Sequence, residues 1–160
     1  MLKMRQYTST DRALIENWPA YPPEYADLDY ALRADGWISE FEHKPAAGIY
    51  VFAQDSGLIA YTILAGTTPG DAEFRIALHA GYLGKGFGTK ITGMTIRQGF
   101  TINKLDRLHL IVRTNNERAK HLYLKMGFAY CGECWKRTNG KLVQYQEMEL
   151  FRHQYQRLCL

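Results

Sequence analysis

The sequence predicts a mixed α/β fold, a largely antiparallel sheet that passes into strand–helix–strand units and carries helices on its faces. Three observations predict it. Two apolar runs, 48–54 and 58–65, flank the hairpin signal Asp55-Ser56-Gly57. Segments with helical spacing of apolar residues fill 88–103 and 116–126, each after a strand-like run. A second turn signal, Asn139-Gly140, joins the last two runs. The 160 residues fit one domain, 1–160, at ~150 residues per domain. A domain of this size buries roughly two-thirds of its unfolded surface and needs no disulfide or metal to fold. With 46% apolar and 22% charged residues, disordered, collagenous and coiled-coil classes are excluded.

The elements follow in order. Leu2 to Tyr7 reads as a strand. Ser9 or Thr10 offers an N-cap to a helix marked by Leu14, Ile15 and Trp18 and stopped by Pro19. After the turn WPAYPPEY, the spacing of Tyr25, Leu28, Ala31 and Leu32 predicts a helix up to Gly36. Strands are expected at 48–54, 58–65 and 72–78, the last with Phe74, Ile76 and Leu78 alternating to one face. A helix is expected over 88–103, a strand over 107–113, a helix over 116–126, and strands over 128–134 and 141–150. That makes seven strands and four helices.

The chemistry-bearing segment is Tyr82-Leu83-Gly84-Lys85-Gly86-Phe87-Gly88-Thr89-Lys90, between a strand and a helix. Glycines there let the backbone take positive φ and approach a ligand closely. The free amides of a helix N-terminus add the positive end of the dipole, which suits a pyrophosphate. A nucleotide P-loop, GxxxxGK[ST], does not fit, because His79 and Gly86 stand where it needs Gly and Ser or Thr. The dinucleotide pattern GxGxxG fails as well, since the spacing is GxGxG.

Leu83 to Gly88 resembles the acyl-coenzyme A loop of the GCN5-related N-acetyltransferases, [Q/R]-x-x-G-x-[G/A], with Gly86 and Gly88 in register and Leu83 where Gln or Arg is usual. Residues 112–128, VRTNNERAKHLYLKMGF, are similar to the family's second signature, N-x-x-A-x-x-L-Y-x-x-x-G-F, through Asn116, Ala119, Leu122, Tyr123, Gly127 and Phe128. The resemblance covers roughly 48–150. It implies a six- to seven-stranded sheet, splayed centrally, with about four helices on its faces. It makes 48–150 an acyl-CoA-binding core and 1–47 the acceptor side. Local physics explains part of the second signature by itself: Gly127 suits a left-handed C′ residue, with Phe128 as the hydrophobic contact of the cap. Asn115 and Asn116 are rival caps, and Asn116 is also the position implied to bond the pantetheine arm.

The resemblance implies transfer of an acetyl group from acetyl-CoA, as co-substrate, to a primary amine, a small molecule in preference to a protein N-terminus. Leu83, Gly84, Lys85, Gly86, Phe87, Gly88 and Thr89 would hold the phosphates. Backbone groups of Ile76, Ala77 and Leu78 would hold the arm and polarise the thioester carbonyl, a backbone N–H stabilising the oxyanion. Tyr123 is the implied proton donor to the leaving thiolate. A lysine-like amine of pKa ~10.4 costs about 4.6 kcal/mol to deprotonate at pH 7, so a base helps. Glu73 is the candidate, with an ion pair to Arg75 as its structural alternative. Charge distribution agrees: residues 1–55 hold 9 acids and 5 bases, residues 56–160 hold 7 acids and 15 bases. A basic back half suits phosphates and an acidic, aromatic front half suits an amine. Glu24, Asp27 and Asp29 with Tyr21, Tyr25, Tyr30 and Trp37 are the acceptor candidates, Glu24, Tyr25 and Trp37 foremost, since ring faces hold cations.

Other signals are weaker. Cys131-Gly-Glu-Cys134 has no second pair for zinc and sits in strand-like sequence, so a structural role is expected and no metal. The histidines show no metal spacing. No run of ~18 uncharged apolar residues exists, and the first residues lack an apolar signal core, so a cytoplasmic protein with reduced thiols and no membrane partner is expected. No nucleic-acid motif is present. The basic tail FRHQYQRLCL is expected to extend the last strand or to pack on a second copy, in a homodimer. Two other functions compete with the enzyme: a non-catalytic acyl-CoA-binding regulatory module of the same fold, and a basic RNA- or ribosome-binding module with steep salt dependence.

Overall fold

β-branched and aromatic runs between turn residues give seven strands: β1 (Lys3–Gln6), β2 (Ala47–Gln54), β3 (Gly57–Gly66), β4 (Asp71–Leu78), β5 (Arg107–Arg113), β6 (Ala129–Thr138) and β7 (Lys141–Phe151). Five α-helices accompany them: α1 (Asp11–Glu16), α2 (Trp37–Phe41), α3 (Phe87–Arg97), α4 (Glu117–Lys125) and α5 (Arg152–Leu158). This computed structural model describes residues 1–55 and 57–158, so Ser56 of the first hairpin signal and Cys159 of the tail lie outside the described residues. The sheet is seven-stranded and mixed, in the order β1-β2-β3-β4-β5-β7-β6. β1 with β2, β2 with β3, β5 with β7 and β6 with β7 are antiparallel. β4 and β5 are parallel, and their ladder joins only Asp71–Glu73 to Arg107–His109.

The chain forms two compact units, Met1–Ala65 with Arg75–Thr95, and Gly66–Phe74 with Ile96–Leu160. In the first, Ile49, Val51, Tyr61 and Ile63 of the β2–β3 hairpin make a core with Ile15, Ala31, Ile38, Phe41 and Ala77. On the hairpin's alternate positions Thr62 meets Thr95 of α3, hydroxyl to hydroxyl at 3.0 Å. In the second unit, β5 alternates strictly and β7 does so over its last five residues, Glu147 to Phe151. Leu108 faces Leu150 and Leu110 faces Met148 across the ladder, all four buried, while Arg107, His109, Glu147 and Glu149 point to the other face and stay half-exposed.

Several expectations need correction. Neither Ser9 nor Thr10 caps α1: Thr10 is already helical and its side chain makes no cap bond. Asp11 does the work from the opposite direction, accepting the Thr8 amide at 2.9 Å and a two-pronged pair from Arg5 at 2.8 Å. Residues Pro23–Leu32 form a 3₁₀-helix, whose three residues per turn also align Tyr25, Leu28 and Ala31. The helix expected to end at Gly36 is instead followed by α2, which begins just after it. The helix expected over 88–103 is α3 followed by a π-helical turn, Gln98–Ile102, with the Asn103 amide bonded back to the Gln98 carbonyl at 2.9 Å. The tail extends β7 by Phe151 alone, past the expected end at residue 150, and then turns into α5. Gln154 caps it by accepting the Phe151 amide at 3.0 Å, and Tyr155 packs on Phe100, ring centres 5.2 Å apart.

Candidate active site

Tyr123 sits on α4, and both ends of that helix are closed by its own sequence. At the start, the Asn116 side chain accepts the Ala119 amide at 3.1 Å, so Asn116, not Asn115, is the cap. At the end, Gly127 takes φ +104°. Its amide bonds the Leu124 carbonyl and the Phe128 amide bonds the Tyr123 carbonyl, each at 3.0 Å, the paired bonds of a Schellman cap. The Phe128 ring completes the cap against the Tyr123 ring, centres 5.9 Å apart, and Phe74 of β4 meets Tyr123 edge-on at 6.1 Å. Tyr123 is thus buried between two aromatic edges. Burial alone drives its phenol pKa well above the ordinary value, so the hydroxyl keeps its proton throughout the neutral range.

Glu73 precedes Phe74 and therefore leaves β4 on the opposite face. It stands in register with His109, which stands in register with Glu149. Arg107 ties its neighbours Asp71 (3.3 Å) and Glu149 (2.9 Å) into ion pairs. The Thr67 hydroxyl lies 3.1 Å from His109 Nε2. Burial, then the Arg107 charge, lowers the His109 pKa, and Glu73 partly opposes that. His109 is thereby neutral near pH 7. The bulge between Tyr130 and Gly132 puts Cys131 near Glu149 and Cys134 near Glu147. Burial and those carboxylates raise both thiol pKa values, which disfavours the nucleophilic thiolate form. Among the described residues no group of three His, Cys, Asp or Glu is placed to hold a metal ion.

The glycine segment belongs to the other unit. Gly84 (φ +74°) and Gly86 (φ +84°) adopt the left-handed conformation, and a Cβ at Gly86 would meet nothing, so the loop is open there. Gly88 and Thr89 lie in the first turn of α3, whose leading amides have no intrahelical acceptor. The Lys85 ammonium rests 5.7 Å over the Tyr82 ring. Trp18, His79, Tyr82 and Phe87 run edge to face in a chain with 5.5–5.6 Å steps, bracing the segment before the glycines. His79 also accepts the Gly81 amide at 2.9 Å. An open left-handed loop, unpaired amides and a lysine fit the phosphates of an acyl-CoA.

Of the acceptor candidates, Glu24 is exposed and Tyr25 half-buried on the 3₁₀-helix. Trp37 is half-buried at the start of α2, edge-on to Tyr61, and its ring already carries the Arg75 guanidinium at 5.2 Å; Phe41 shares that cation at 4.8 Å. Tyr21 is buried. It donates to the Leu78 carbonyl at 2.6 Å, while Asp29 accepts its amide at 3.1 Å. One backbone group of the Ile76–Leu78 stretch is therefore taken by the protein itself. The braces His79, Arg75 and Tyr21 were not singled out for these roles, because each needs a contact far along the chain, His79 with Trp18, Arg75 with Trp37 and Tyr21 with Leu78.

The acetyltransferase (GNAT) family model matches residues 10–128. The protein belongs to that family. Among curated proteins it is similar to the spermidine N(1)-acetyltransferase of Escherichia coli K12, 40% identical over 86 residues, which are 52% of this chain and 46% of that protein. The chain thus matches about half the length of that relative. Among solved structures it is similar to a mutant form of the spermidine/spermine N-acetyltransferase of Vibrio cholerae (TM-score 0.80, 24% identity, 100% of both chains). It is also similar to the spermidine N-acetyltransferase of Vibrio cholerae in complex with CoA and spermine (TM-score 0.77, 22% identity, 97% of this chain and 98% of that one). At these identities the structures establish the fold alone. No helix among the described residues is long and apolar enough to cross a membrane.

Proposed function

We propose that the protein transfers the acetyl group of acetyl-CoA to a primary amine of a small polyamine of the spermidine type. The 40% identity to a spermidine N(1)-acetyltransferase is the observation that carries the acceptor. Family membership and the setting of Tyr123 support the reaction. Leu83 to Thr89 hold the phosphates, and the side-chain NH2 of Asn116 and the backbone of Ile76–Leu78 hold the arm. Bound there, acetyl-CoA supplies an activated thioester. Tyr123 keeps its phenolic proton at neutral pH because it is buried, and delivers it to the departing sulfur. Glu73, with His109 neutral beside it, takes up the proton of the attacking ammonium. The acidic front residues Glu24 and Asp27, with Tyr25, attract the polycation. The protein works in the cytoplasm, where acetyl-CoA and polyamines meet.

The test is thiol release from acetyl-CoA with spermidine, spermine, a monoamine, an aminoglycoside and an N-terminal peptide, with thermal stabilisation by CoA run alongside. Turnover on the polyamines, several-fold faster than on the monoamine, is expected. A CoA shift without turnover on any amine would favour the binding-module reading. Absence of a shift at millimolar CoA would overturn the glycine-loop assignment.

A further inference from the structure

The glycine loop is tied to the sheet through His79. This residue follows the end of β4, and its amide donates to the Ile59 carbonyl of β3 at 2.8 Å. Its carbonyl accepts the Tyr82 amide at 2.9 Å, which closes a single 3₁₀ turn over Ala80–Tyr82. Its ring caps the same turn, Nδ1 accepting the Gly81 amide at 2.9 Å. A ring that accepts at Nδ1 carries its proton on Nε2. Gly81 takes no positive φ, so torsion does not require glycine there. Space does. A Cβ at Gly81 would stand 3.2 Å from both Nδ1 and Cε1 of His79, inside the ~3.5 Å at which carbon contacts become favourable.

The ring also reaches sideways. It meets Trp18, just after α1, edge to face at 5.6 Å, and Tyr82 at 5.5 Å. Tyr82 in turn meets Phe87, the first residue of α3, at 5.5 Å. Trp18 packs against the core of this unit. Tyr82 and Phe87 thus clasp the loop across Gly84 and Gly86, and His79 refers that clasp to the core. Glycines at φ +74° and +84° have many other conformations open to them. Ordering them before a ligand arrives removes a cost that binding would otherwise carry.

We infer that His79 is the positioning residue that presents this loop to an acyl-CoA, which rests on the reading of Leu83 to Thr89 as the phosphate site. Its bond to Gly81 sets where the loop leaves the sheet. Its ring holds Tyr82, and through Tyr82 the start of α3. His79 therefore acts on cofactor affinity and not on the transfer step.

Isothermal titration of the whole chain with CoA tests it. His79→Ala removes both bond and ring and should weaken CoA on the order of tenfold, the loss of one hydrogen bond and its ring contacts. His79→Asn should recover most of that loss. Its Oδ1 sits on Cγ as Nδ1 does, and such oxygens accept the amide two residues on. Gly81→Ala, which crowds the ring, should weaken CoA a few-fold. With the best amine of the panel, KM for acetyl-CoA should rise in step with Kd while kcat stays within about twofold of wild type. Urea unfolding without CoA checks that each variant is folded. A folded His79→Ala variant that binds CoA as wild type does, a His79→Asn variant as weak as His79→Ala, or a fall in kcat at unchanged KM would each overturn the role of His79 and leave the loop's assignment intact. A wild type that binds no CoA at millimolar concentration would overturn that assignment, and the role of His79 with it.

Discussion

Helix α4 takes its limits from its own ends, whereas the segment from Thr8 to Pro45 takes its limits from the rest of its unit. Asn116 and Gly127-Phe128 close α4 through bonds that reach no more than five residues along the chain. The front segment is held by long reaches: Tyr7 and Arg12 to Glu42, Tyr61 to the Ala31 carbonyl, Tyr21 to the Leu78 carbonyl. Neither α1 nor α2 exceeds six residues, too short to be stable alone. A helix defined locally keeps Tyr123, the proposed proton donor, in one place. A segment defined by distant ties holds its shape only while those ties remain.

The widest difference is expected at Tyr123. Tyr123→Phe keeps the ring between Phe74 and Phe128 and removes only the proton. It should lower kcat roughly 10²–10⁴-fold, with stability changed by less than about 1 kcal/mol. Steady-state kinetics and a urea titration check both halves, and an unchanged kcat would remove Tyr123 from the chemistry. Next comes Gly127→Ala. A side chain at φ +104° is strained, and its Cβ would stand 2.5 Å from Leu158. A loss of about 2–3 kcal/mol in urea unfolding is expected. A loss under about 0.5 kcal/mol would mean that the cap does not define α4.

The front segment should answer to pH. Asp11 is buried, and hydrogen bonds from Arg5 hold its carboxyl below the usual carboxylate range. Its stabilisation is therefore whole above the unfolded value of ~3.9 and is lost as pH falls through the lower folded value. Wild type should exceed Asp11→Asn by about 1 kcal/mol at pH 7, a modest figure because Arg5 is half in water. The two should converge towards pH 2 in thermal unfolding. The smallest effect is expected at exposed Glu24. Glu24→Gln should leave stability within about 0.5 kcal/mol and raise KM for a triamine a few-fold without changing kcat. A drop in kcat instead would place Glu24 in the chemistry.

Much of the fold was legible in the sequence. β2 and β3, β5, α4 and the β6–β7 hairpin lie within a few residues of their expected limits, because alternation, turn residues and caps act between neighbours. The π-helical turn after α3 was not legible, since Gln98 to Asn103 has the composition of an ordinary helix end. α5 was not either: its apolar residues Tyr155 and Leu158 are few, and they gain partners in Phe100 and Gly127, both far back along the chain. For the site, Tyr123, Asn116 and the glycines were readable as motif positions. The cation on Trp37 and the Tyr21–Leu78 bond were not, because nothing in the spacing of residues 21, 37, 75 and 78 marks them as neighbours.

By itself the sequence determined the strands, the capped helix of Tyr123, the left-handed glycines and membership of an acyl-transfer family, all consequences of local torsions, short-range bonds and motif order. Tertiary structure alone decided the surroundings of the acidic, basic and aromatic groups. It buried Tyr123 so that its proton stays on, turned Glu73 and Phe74 to opposite faces, Glu73 in register with His109 and Phe74 against the Tyr123 ring, and placed Arg75 over Trp37. Burial and cross-strand register set those surroundings, and both depend on residues that meet only when the chain has folded.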